Sequence, residues 1–155
     1  MKANVDGAMV KEGTGGGVGV IFRDEDGAFR GAASHFLPNC PKAETAEILA
    51  CRKAVQLAIQ RGIQKLHLET DSQVVAKMFG EEGRNLSPVG QTTEEVKNMI
   101  RTREEFKITW VRRTANGAAH ILAKLGVNSR TSVFWDLDPP ICILSTVSDE
   151  IPTLS

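Results

Sequence analysis

Four short stretches, far apart in the chain, each offer one side chain able to hold a divalent cation. They are Asn4-Val5-Asp6-Gly7, Ala46-Glu47-Ile48-Leu49-Ala50, Glu69-Thr70-Asp71-Ser72-Gln73 and Asn116-Gly117-Ala118-Ala119-His120. Three carboxylates and one imidazole form the donor set that metal-assisted phosphodiester hydrolysis needs, and oxygen ligands suit Mg²⁺ or Mn²⁺. Gathered in one place, the carboxylates repel: a pair about 4 Å apart costs roughly 4 kcal/mol at an effective dielectric near 20. A bland core would not tolerate that, whereas a cation turns it into attraction. Two ions about 3.5–4 Å apart can activate an attacking water and stabilise the leaving oxygen of an in-line phosphoryl displacement.

The elements around these stretches decide whether they can meet. Ala3 to Met9 reads as a short strand, and Val18 to Arg23 as a β-branched, apolar one. Asp24-Glu25-Asp26-Gly27 is a hairpin turn, since Asp-Gly readily takes the positive φ a tight turn needs. Phe29 to Leu37 returns as the third strand and stops at Pro38, Asn39 and Pro41. Glu44 to Arg61 is the clearest helix, with Ile48, Cys51, Val55, Ala58 and Ile59 at helical spacing and Gly62 as its stop. Lys65 to Thr70 alternates as a strand, and Asp71 or Ser72 can cap a helix through Met78. A polar loop over Glu81 to Leu86, a helix from Pro88 to Thr102 and a strand from Phe106 to Arg112 follow. Asn116 then caps a last helix that runs to Leu125 and ends at Gly126.

The order β-β-β-α-β-α-β-α implies an α/β domain over 1–126: a three-strand antiparallel meander plus two parallel strands, flanked by helices. Residues 127–155 hold one apolar patch (Val133, Phe134, Trp135) and read as an extension that packs in part or trails off. In such a sheet the first strand is central. If the fourth is its parallel neighbour, Asp6 and Asp71 meet near one edge. Glu47 shares a helix face with Cys51 and Ala54 and points at the sheet, and His120 lies one turn after Asn116.

Bulk properties narrow the class. The 155 residues are 41% hydrophobic and 25% charged, with a formal net charge of +0, which suits one globular domain. A protein relying on a broad basic surface would usually not show this balance, so any nucleic-acid contact must be local and modest. The three cysteines, Cys40, Cys51 and Cys142, have neither metal spacing nor a disulfide pattern. They fit a reducing, intracellular setting (nucleus or cytoplasm), with Cys51 as a small core residue. No apolar run approaches the roughly 20 residues of a membrane span, and a monomer is expected.

The pieces in order resemble the ribonuclease H family, most closely the reverse-transcriptase-like ribonuclease H domains abundant in plant genomes. They are Val5-Asp6-Gly7-Ala8, Gly19-Val20-Ile21-Phe22-Arg23-Asp24 with Asp26-Gly27, Ala46-Glu47-Ile48-Leu49-Ala50, Thr70-Asp71-Ser72-Gln73, Trp110-Val111-Arg112-Arg113 with Asn116, Ala119-His120, and Leu122-Ala123-Lys124. The resemblance covers about residues 3–145. It implies a five-stranded mixed sheet and Mg²⁺-dependent cleavage, by two ions, of the RNA strand of an RNA–DNA hybrid. It also implies that Asp6, Glu47 and Asp71 are metal-binding carboxylates and that Gln73 touches nucleic acid, with minor-groove 2′-hydroxyls as its target. His120 takes the fourth catalytic position, where the most familiar members have aspartate. A neutral imidazole is a competent ligand but brings no negative charge. The stretch from Arg112 to Ala115 is short and lacks the histidine-bearing loop of cellular enzymes, and no basic, Trp-rich handle is present.

Plainer roles stand beside these. Asp6 could be a turn residue and Asp71 a helix cap. Glu44 competes with Glu47, but its place in the first helical turn suits the helix dipole. His120 could be a packed helix residue. Gly13 to Gly19 is not a phosphate loop, because no Lys-Ser or Lys-Thr follows and a strand comes next. His35 and His67 read as strand residues without chemistry, and Trp110 as core rather than a stacking platform. Asn116, Arg112 and Arg113 join Gln73 as candidate nucleic-acid contacts, the arginines through phosphate. The rival to an enzyme is a catalytically silent module that binds nucleic acid or a protein partner.

Overall fold

Three antiparallel strands open the chain: β1 (Lys2–Met9), β2 (Gly16–Arg23) and β3 (Phe29–Leu37). The turn between β2 and β3 is held by Asp24, whose Oδ1 accepts from the Asp26 and Ala28 amides, each at 3.0 Å. Gly27 takes the positive φ of +81° that the turn requires. The computed structural model describes residues 1–83 and 87–150. It continues with α1 (Ala43–Gln60), β4 (Lys65–Thr70), α2 (Gln73–Gly80), α3 (Gly90–Arg101), β5 (Glu105–Trp110), α4 (Gly117–Ser129), β6 (Val133–Trp135) and α5 (Leu144–Glu150). Residues 84–86 of the expected polar loop and 151–155 of the extension lie outside the described residues. No helix among the described residues is long and apolar enough to cross a membrane.

The sheet order is β5-β4-β1-β2-β3-β6. β1 is interior, as expected, and is parallel to β4, with Val5 opposite Thr70. β4 is in turn parallel to β5, with Thr70 opposite Trp110. These registers bring the carboxyl ends of three strands level, so Asp6, Asp71 and the end of β5 share one edge. The sheet has six strands rather than five. The Val133-Phe134-Trp135 patch pairs antiparallel with Ser34, Ala33 and Ala32 and covers the otherwise open side of β3. Arg61, just after α1, binds this addition: it donates to Asp136 Oδ1 at 3.0 Å, and its guanidinium lies 5.3 Å from the Phe134 ring centre.

Alternation along the strands feeds two cores. On one face Ala3, Val5, Val20 and Phe22 pack with Ile48, Cys51, Val55 and Ala58 of α1. On the other, Ile21 and Ala32 pack with Ala118 and Leu122 of α4 and with Ile143 and Val147 near the end of the described chain. The larger of these, the Val, Ile, Leu and Phe side chains, each contribute about 1.5–3 kcal/mol when fully buried. α4 rests directly on the backbone of β2, since a Cβ on Gly17 or Gly19 would run into the Ala123 or Ala119 carbonyl oxygen. The helix does not end at Gly126. That glycine is interior, where the missing side chain lets α4 approach β3: a Cβ there would lie 2.7 Å from the His35 carbonyl oxygen. The helix ends instead at Arg130, which takes the left-handed conformation.

Candidate metal centre

Asp6 is on the β1 face that carries Lys2 and Asn4, opposite the apolar stripe of Ala3 and Val5, and is 4% exposed. Glu47 reaches it because α1 begins almost in contact with β1. A Cβ on Gly7 would lie 2.6 Å from both Ala46 C and Glu47 N, so only glycine permits this approach. The Gly7 N–H also donates to the Glu47 carboxylate. Asp71 follows β4 directly. The capping role beside it falls to Ser72, whose Oγ accepts from the Val75 amide at 3.2 Å. Asp71 is thereby left to face the other acids. Asp6, Glu47 and Asp71 each place a carboxylate oxygen within 4.8 Å of the others.

Burial, followed by the charge of Asp6 and a hydrogen bond to it and by the charge of Asp71, pushes Glu47 up to about 9. The Gly7 N–H opposes this. Asp71 is raised in the same sense by burial and then by Asp6, against the opposing pull of the Arg113 charge and a hydrogen bond from Asn116. Glu47 Oε2 is buried and has no hydrogen-bond partner. An acceptor taken from water and given no donor is costly. An all-oxygen cluster with one such vacant acceptor fits a hard divalent cation.

The supporting residues divide into buried and open groups. His120 Nδ1 donates to Asp6 Oδ2 at 2.8 Å, which leaves Nε2 as the second ring nitrogen on a side chain 45% exposed. Asn116, expected at a nucleic-acid surface, is 1% exposed. Its amide donates to the Val5 carbonyl at 2.8 Å and its oxygen accepts from Asn4 Nδ2 at 3.2 Å, so it ties α4 to β1 from within. It begins α4 without a side-chain cap, contrary to the capping expectation. Gln73, Arg112 and Arg113 are exposed around the same edge. Trp110 is not core: it is 43% exposed, and its Nε1 donates to the Asp71 carbonyl at 3.3 Å. Beside Asn4 a cleft of about 530 Å³ opens between Lys2, His67, Glu69, Arg23 and Thr114, next to the carboxylates rather than over them.

Residues 4–126 match the family described as reverse transcriptase-like. The chain belongs to that family. No curated protein matches it. Among solved structures it is similar to ribonuclease H1 from the halophilic archaeon Halobacterium salinarum NRC-1, with a TM-score of 0.76 and 22% identity over 83% of this chain and 97% of that one. It is also similar to LC11-RNase H1, isolated from compost by a metagenomic approach. In the complex of that protein with an RNA/DNA hybrid the TM-score is 0.72 at 17% identity, over 83% and 97% of the two chains. A foamy viral protease-reverse transcriptase in complex with dsDNA matches at 0.71 and 20%, over 83% and 94%. The fold of this reverse transcriptase-like chain is therefore ribonuclease H-like.

Three features of the family member's site escape the sequence reading. Asn4 lies two residues before Asp6 and so on the same strand face, a period-two signal that points to it. It bridges Asn116 Oδ1 and Glu69 Oε1, the latter at 3.1 Å. Gly7 has its signal in the need for a close helix–strand approach, which one sequence does not display. The exposure of Trp110 has none, because it continues the strand face on which Phe106 and Ile108 pack against the core.

Proposed function

We propose that this reverse transcriptase-like domain hydrolyses the RNA strand of RNA–DNA hybrids with the help of two divalent cations, Mg²⁺ or Mn²⁺. The observation that carries the reading is the partnerless, buried Glu47 Oε2 inside a cluster of three carboxylates. Asp6, Glu47 and Asp71 would hold the ions, and Nε2 of His120 would supply a fourth donor while Nδ1 keeps its bond to Asp6. Bound there, the cations supply charge neutralisation on the scissile phosphate and acidify water at neutral pH.

The protein's own part is positioning. Asn116 fixes the carbonyl of Val5, the residue before Asp6, and supports Asp71. The Gly7 N–H orients Glu47. Arg112 and Arg113, both exposed, would meet phosphate oxygens, and Gln73, exposed at the start of α2, would meet a 2′-hydroxyl. The solved relative bound to an RNA/DNA hybrid supports this choice of substrate.

A labelled RNA–DNA hybrid with Mg²⁺ or Mn²⁺, offered to wild type and Asp6→Asn, tests the reading. Cleavage by wild type and its loss in the variant are expected; equal residual signal from both would refute it. A second reading, a silent binding module, draws on His120, because the fourth donor carries no fixed negative charge. His120→Asp separates the two. A nuclease limited by its fourth donor gains cleavage, and a silent module gains none.

A further inference from the structure

We propose that Trp110 is a packing platform for the sugar–base face of a nucleotide next to the one held at the carboxylates. The inference rests on the nuclease reading above and adds a substrate-contacting residue to it.

Trp110 ends β5, whose carboxyl end is level with those of β1 and β4. The next residue after its partner Thr70 is Asp71, and the indole Nε1 donates to the Asp71 carbonyl at 3.3 Å. That bond fixes the ring plane without burying it, and the side chain remains 43% exposed. Phe106 and Ile108, on the same face of the strand, join the core; Trp110 does not. Around it the edge is mixed in the way nucleic acid requires. Val74, in the first turn of α2, is 59% exposed, and Arg113 lies close enough to Asp71 for its charge to act on it. An aromatic face beside a cation is the usual unit for gripping a nucleotide without reading its sequence. The net charge of +0 makes such a local grip more necessary, since no net positive charge draws the substrate in.

The protein has two tryptophans, so Trp135→Phe leaves Trp110 as its single indole. In a background that also carries Asp6→Asn, a fluorescein-labelled RNA–DNA hybrid is titrated in Mg²⁺. Label anisotropy reports binding, while indole emission reports Trp110. Indole emission is expected to change over the same hybrid concentrations as the anisotropy. Trp110→Ala should weaken hybrid binding about tenfold, while Trp110→Phe should keep most of it. A rise in anisotropy with unchanged indole emission and an unchanged Kd in Trp110→Ala would overturn the platform and leave the nuclease reading intact. No rise in anisotropy would overturn both.

Discussion

Replacing Glu47 by glutamine should change how stability depends on pH, and the size of the change follows from the site. In the folded, cation-free protein Glu47 is pushed up to about 9 by burial and by Asp6 and Asp71, against an ordinary value of 4.5. Between those values the folded chain keeps a proton that the unfolded chain has released. Its stabilising effect is complete below the unfolded value, and is lost as pH rises towards and through the folded one. At about 1.4 kcal/mol per pH unit, wild type should lose on the order of 3 kcal/mol through this group between pH 5 and 7. Glutamine resembles the protonated carboxyl, so the variant should not pay this loss. Near pH 5 the two should be similar. At pH 7 the variant should melt roughly 6–12 °C higher, taking ~2–4 °C per kcal/mol for a domain of this size. His35 and His67, both lowered by burial, titrate with the opposite sign, gaining stability as pH rises, and cancel in the difference between the two proteins. Urea unfolding in EDTA at several pH values measures it. Parallel stability curves for wild type and Glu47→Gln would refute the argument that these acids are forced together.

The same crowding predicts that millimolar Mn²⁺ raises the wild-type melting temperature. Its binding at pH 7 should release about one proton per protein, read in weakly buffered solution by a pH indicator. Gly7→Ala should cost about 1–3 kcal/mol and greatly reduce hybrid cleavage, because the added methyl pushes the start of α1 away from β1. Asn116→Ala should cost about 1–3 kcal/mol in urea unfolding, since the Val5 carbonyl and the Asn4 amide lose a buried partner. Its effect on hybrid Kd should be small beside its effect on the rate of cleavage.

Much of this was legible in the sequence because its signals are local. Strand alternation, the Asp-Gly turn and the apolar face of the Glu44-to-Arg61 segment each fix one element. The order of elements then allows the first and fourth strands to be parallel neighbours, as they are, which brings Asp6 beside Asp71. What remained hidden depends on approach distances. Gly126 looks like a helix stop until α4 is seen against the His35 carbonyl. Asn116 looks like a surface amide until the Val5 carbonyl is found needing a donor. Trp110 continues an apolar stripe in the sequence, yet it is 43% exposed. The sixth strand is three residues long, and three residues carry too little alternation to be told from any apolar patch.

That short strand has a bearing on how the molecule keeps to itself. β3 would otherwise present the bare amides and carbonyls of Ala32 to Ser34 along a small-residue rim, a ready template for pairing with other chains. Covering it from within makes the three-residue β6 that rim, too short to template much pairing, while β5 at the opposite rim carries the exposed charges Glu105 and Lys107, which discourage stacking. Removing the segment past Ser129 should therefore uncover an adhesive flank along β3.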